Sequence, residues 1–173
     1  IGVIRAEKDP ATAQRRASEL AQRYLPRHVQ TSSDEAVIRF TSEMMKVFER
    51  LLQRDPENCK ALTSGGSVSA SFDAREMRPA LDAMAQVIDD SVDKAQPPPD
   101  APRAQRLFAG VLERVYAEQR DLAPLQSLSR PAGLPAAQLC RTMIAFYREI
   151  LKLPPADASA VLRTLMRGGQ RPS

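Results

Sequence analysis

The proline pair Pro154-Pro155 splits the most apolar stretch of the chain, Gly133 to Met166, and predicts two helices where one would otherwise run. Proline disfavours the α conformation of the residue before it, so the first helix should stop near Leu153. Upstream, Leu139, Met143, Tyr147 and Ile150 recur at helical spacing, with Cys140, Ile144 and Leu151 beside them. Pro135 suits the first turn, where an N–H would be unpaired anyway. Downstream, Pro155 opens a second helix with Ala158, Val161, Leu162, Leu165 and Met166 on its apolar side, and Gly168-Gly169 ends it. This C-terminal helical hairpin is the expected centre of the fold, and residues 170–173 are expected to fray.

Similar signals recur along the chain. Asp9-Pro10 opens a helix from Ala11 to about Tyr24, with the thin apolar side Ala13, Ala17, Leu20, Ala21 and Tyr24, and Pro26 should end it. Ser32 and Glu35 stand at capping-box spacing before a long helix to about Arg54. Its expected buried stripe is Val37, Phe40, Thr41, Met44, Phe48, Leu51 and Leu52, widened by Ile38, Met45 and Val47. Asp55-Pro56 opens a short helix that carries Cys59 and ends near Leu62. From Asp73 to Lys94, Met77, Leu81, Met84, Ile88 and Val92 follow a near-heptad spacing, with Ala80, Ala85 and Val87 beside them, and should face the core. Asp82, Asp89, Asp90 and Asp93 should face water. A further helix runs from Arg103 to Leu122, and Pro124 should stop it.

The expected fold is all-α: an irregular bundle of five or six helices in a single domain, residues 1–173. Aromatics are only 5% and Trp is absent, so the core must be built from Leu, Ala, Met, Val and Ile. Residues 1–9 read as a disordered tail, 63–72 as a flexible Ser/Gly loop and 96–102 as a stiff Pro-rich connector. No apolar run reaches the roughly 18 residues that span a bilayer. The chain begins at Ile1, which suggests a fragment or processed form with a membrane anchor or signal segment outside it.

Net charge is +4, unevenly spread. Residues 61–100 carry 3 basic and 7 acidic groups, net −4, whereas residues 101–173 carry 11 and 5, net +6. The basic groups are spaced arginines without interleaved aromatics, which argues against nucleic acid as the partner.

Cys59 and Cys140 are the most informative pair. Two cysteines and one histidine cannot supply the four ligands of a structural zinc site, so no metal and no cofactor is expected. A disulfide, two buried free thiols and a reactive cysteine stay open, with the disulfide favoured because the Asp-Pro turn would hold Cys59 rigidly. His28 falls in an expected loop, and one histidine without a Gly-x-Ser-x-Gly elbow assembles no catalytic triad. Ser64-Gly65-Gly66-Ser67 lacks the Lys-Ser/Thr of a phosphate loop. Met44, Met45, Met77 and Met84 could line a soft groove for a protein partner, or fill the core.

No catalytic set can be assembled, so the expected function is a non-catalytic interaction or scaffold domain. A periplasmic or extracytoplasmic location, as part of a larger bacterial protein, follows from the favoured disulfide and from 20 Arg against 5 Lys. The alternatives are a cytoplasmic helical regulator binding a partner helix or nucleic acid, and a carrier of an apolar ligand.

Overall fold

The computed structural model describes residues 24–63, 74–119 and 135–168. Of these, 88% are helical and none lies in a strand. Seven helical segments pack together: α1 (residues 24–31), α2 (Asp34–Arg54), α3 (Pro56–Thr63), α4 (Ala74–Asp93), α5 (Ala101–Gln119), α6 (Ala136–Leu151) and α7 (Pro155–Gly168). The short helix carrying Cys59 is α3, and α6 with α7 is the C-terminal hairpin. The expected tail 1–9, the helix over residues 11–23, loop residues 64–72 and the stop at Pro124 lie outside the described residues. No described helix is long and apolar enough to cross a membrane.

The long helix α2 is the spine, because it packs against α3, α4, α6 and α7. Its first half, through Ala36, Val37 and Phe40, enters one apolar cluster with Ala83, Val87, Val111, Ile150 and Leu162. Its second half, through Val47, Phe48 and Leu51, enters another with Ala80, Ile144 and both cysteines. Met44 and Tyr147 touch both clusters. The few aromatics are concentrated where these clusters meet. Phe48 stacks on Tyr147 (6.1 Å between ring centroids), Tyr147 meets Phe146 edge-on (5.9 Å), and Phe146 meets Phe108 (5.7 Å). Four rings thereby tie α2, α6 and α5 in one string.

Three expectations need correction. Pro26 does not end a helix: residues 24–31 are helical through it. Tertiary donors stabilise that extra turn: Arg163 donates to the carbonyls of Val29 and Ser32, and the Gln96 N–H donates to Thr31 at 2.7 Å. Consequently His28 lies on a half-buried helix rather than in a loop.

The α2 cap is Ser33, not Ser32. Ser33 is extended (φ −64°, ψ 152°), and its hydroxyl accepts from the Ala36 N–H at 3.2 Å. Ser32 instead closes α1, donating its N–H to His28 O at 2.9 Å.

The third correction concerns α4. Its buried side is Ala80, Ala83, Val87 and Asp90, while Leu81, Ile88 and Val92 are exposed. The helix runs antiparallel to α2, as the pairs Arg39–Gln86 and Arg54–Glu76 show. Small residues at positions 80 and 83 let the two backbones approach, and that outweighs the larger area Leu81 and Ile88 could bury. Asp90, expected in water, turns inward with this face.

Candidate functional site

The geometry best defined by the described residues is the link between Cys59 and Cys140. Asp55 starts α3: its carboxylate accepts from the Asn58 backbone N–H (3.1 Å) and side-chain amide (2.7 Å), and its carbonyl accepts from Cys59 N–H (3.2 Å). Pro56 fits the first turn. These local bonds fix α3 across α6, with Cys59 aimed at Cys140. The two sulfur atoms stand 2.01 Å apart, at disulfide distance, with Cα atoms 6.1 Å apart across a sequence separation of 81. Both residues are 0% exposed, amid Val47, Phe48, Leu51, Ala80 and Ile144. An apolar, water-free setting keeps external thiols from the sulfurs.

Met44 and Met45 stand on α2, and Met77 and Met84 on α4. Met44 packs against both clusters, Met45 and Met77 against the cysteine cluster, and Met84 against the other. All four are half-buried. His28 Nδ1 lies 2.7 Å from Ser91 Oγ, a contact between α1 and α4. Ser64 to Ser67 lie outside the described residues.

Three ionisable groups are buried: Arg163 and Glu149, which the sequence reading did not single out, and Asp90, which it placed in water. Arg163, 4% exposed, donates to Val29 O (3.1 Å) and Ser32 O (2.5 Å) and meets Asp34 at 2.8 Å. Asp90 accepts from the Ser33 hydroxyl and pairs with Lys94 at 3.1 Å. The Ser33 hydrogen bond, helped by Lys94, holds the Asp90 carboxyl below its ordinary pKa of 3.8 against the opposing effect of burial. Glu149, 4% exposed, pairs with Lys152 and with Arg114 (3.2 Å). Lys152 first, then Arg114, hold its carboxyl below the ordinary 4.5, again against burial. Asp90 was detectable, because it continues the spacing of Ala83 and Val87. Glu149 likewise continues the buried spacing of Thr142 and Phe146, with Lys152 three residues on as its first partner. Arg163 finds its partners on other elements.

Glu49, Leu52 and Gln53 of α2, Glu118 of α5 and Arg141, Ile144, Ala145 and Arg148 of α6 line an open cleft of about 440 Å³. Glu49 and Arg148 bridge it at 2.9 Å. Its two carboxylates and two guanidinium groups balance, so the lining selects neither an anion nor a cation.

No family model, curated protein or solved structure matches this chain.

Proposed function

We propose that the chain is a non-catalytic helical interaction or scaffold domain that works outside the reducing cytoplasm, as the exported part of a larger bacterial protein. The Cys59–Cys140 pair carries this reading. Two cysteines with sulfurs at bonding distance, sealed in an apolar cluster, suit a compartment where disulfides form and persist. Arg163, Asp90 and Glu149 support the scaffold character. Each is engaged in holding helices to one another, the way a structural charge is used. The partner is a protein still to be identified.

The test is the intact mass of denatured protein after alkylation, with and without reductant, using material made in an oxidising compartment. Labelling only after reduction is the expected result. Labelling of both thiols without reductant overturns the exported reading and moves the cytoplasmic regulator to first place.

A further inference from the structure

The face of α4 opposite its buried Ala83 and Asp90 is apolar in a specific pattern. Leu81 (48% exposed), Ala85, Ile88 (36%) and Val92 (72%) are separated by four, three and four residues, the spacing of a helix-pairing seam. Single exposed apolar residues are ordinary, but three of the five large ones exposed among the described residues fall on this line. The two edges of the seam differ. Asp82, Asp89 and Asp93 each follow a seam residue by one position, so all three stand on one edge, and all are exposed. Only Asp82 among them has an ion-pair partner in the described residues, the exposed Arg78 at 4.0 Å. Met84 and Ser91 each precede a seam residue and form the other edge. Neither is charged: Met84 packs against the core, and Ser91 meets His28 of α1 at 2.7 Å.

We propose that this face of α4 is where the domain docks its partner, and that the partner is an amphipathic helix of another protein with cations along one edge. The proposal rests on the interaction-domain reading above and adds the partner's chemistry. Charge selects the occupant. A second copy of α4 pairing antiparallel would set the acidic edge against itself, and pairing in parallel would set it against Met84 and Ser91. Neither arrangement brings a cation to the aspartates. Anionic lipid and nucleic acid are repelled by the same edge. A helix of about three turns spans the roughly 17 Å from Leu81 to Val92. With apolar residues at matching spacing it fills the seam and sets larger side chains over the small Ala85. Lysine or arginine on one side of it then meets Asp82, Asp89 and Asp93.

Fluorescence anisotropy of two labelled synthetic helices, each titrated with the full chain, tests this. Both carry Leu and Ile at the seam spacing, and along one edge the first carries Lys and the second Glu. Nonspecific attraction to a chain of net charge +4 favours the Glu helix, so tighter binding of the Lys helix reports the local acidic edge. The Lys helix should bind the parent on the order of tenfold tighter than the Glu helix. Leu81→Gln with Val92→Gln, uncharged changes at exposed positions, should weaken binding of the Lys helix on the order of tenfold. Asp89→Lys with Asp93→Lys should reverse the preference, and decides the matter should the first variant unfold. Binding of neither helix, equal binding of both, or binding that the folded variants leave unchanged overturns the proposal. A parent dimer that Val92→Gln dissociates, seen by light scattering, also overturns it and assigns the face to a second copy. Thiol labelling judges the exported reading independently of these titrations, so the two failures are distinguishable.

Discussion

The Arg163 guanidinium lies 2.8 Å from the Asp34 carboxylate, so the last helix grips the first turn of the spine helix. The same group donates to Val29 O and Ser32 O, where α1 ends. One cation thus satisfies carbonyls at a helix C-terminus, where the macrodipole is negative, and pairs with an acid at the next helix's start. Gln30 adds to the junction, donating to Arg163 O at 2.7 Å and accepting from Arg167 at 3.0 Å.

Arg163→Leu should therefore cost roughly 3 kcal/mol, the penalty of orphaning two buried carbonyls. Arg163→Lys should recover only part of this, because a single ammonium cannot reproduce the fork. Urea unfolding at neutral pH measures both. A loss under about 0.5 kcal/mol, typical of an ordinary surface site, would mean that the junction does not hold the helices.

The bridge between α3 and α6 closes a long loop. For a separation of 81, the chain-entropy model credits it with about 4.5 kcal/mol, an upper figure because native strain subtracts. Cys59→Ala, Cys140→Ala and the double variant should be destabilised by similar amounts, since each removes the same link. Reductant should lower the parent to nearly the same midpoint and leave the variants unmoved. Denaturant titrations with and without reductant check this, and a reductant-insensitive parent would show that the link is absent in solution.

What could be read from the sequence was whatever is encoded locally. Asp55-Pro56, Pro135 and Pro154-Pro155 act within one turn, so α3 and the C-terminal hairpin were legible nearly to the residue. The approach of Cys59 to Cys140 was only the favoured of three readings, because two cysteines in a sequence fit a bridge and free thiols alike, and the 2.01 Å between the sulfurs comes from the packing of α3 on α6. The buried side of α4 was not. Hydrophobicity favours Leu81 and Ile88, but the packing of α2 selects Ala80 and Ala83, and that choice depends on interhelical distance, which no local pattern carries. The helical turn through Pro26 depends on Arg163 and Gln96, residues far along the chain. Asp90 was misread as solvated because its compensating partner, Ser33, lies on another element.

Acid should weaken the fold through Asp90 and Glu149. Both carboxyls sit below their ordinary values of 3.8 and 4.5 when folded. The folded state therefore gives up these protons more readily than the unfolded state does. Their contribution is complete above the ordinary values and is lost as pH falls through the lower, folded ones. Tm should stay nearly level down to about pH 5.5 and drop below about pH 4.5. Asp90→Asn and Glu149→Gln should lower Tm at pH 7, and their deficit against the parent should shrink as pH falls. Scanning calorimetry across this range measures it. Curves that stay parallel throughout would show that these two carboxyls do not drive the acid response.

Gly110 offers a change in the opposite direction. It lies inside α5, half-buried, where glycine weakens a helix by about 1 kcal/mol relative to alanine. An added Cβ would meet only Arg114 Nη1, at 3.6 Å, an ordinary contact with the end of a flexible side chain. Gly110→Ala should therefore raise stability by roughly 0.5–1 kcal/mol, partly by restricting the unfolded chain. Its one cost would be displacement of Arg114, whose Nε holds Glu149 at 3.2 Å. Repeating the substitution in an Arg114→Ala background separates the two effects. Equal gains in both backgrounds mean that the new methyl fits without disturbing the Arg114–Glu149 pair. A gain that appears only when Arg114 is absent means that the pair is disrupted, and identifies the contact between α5 and α6 as the reason for glycine at this position.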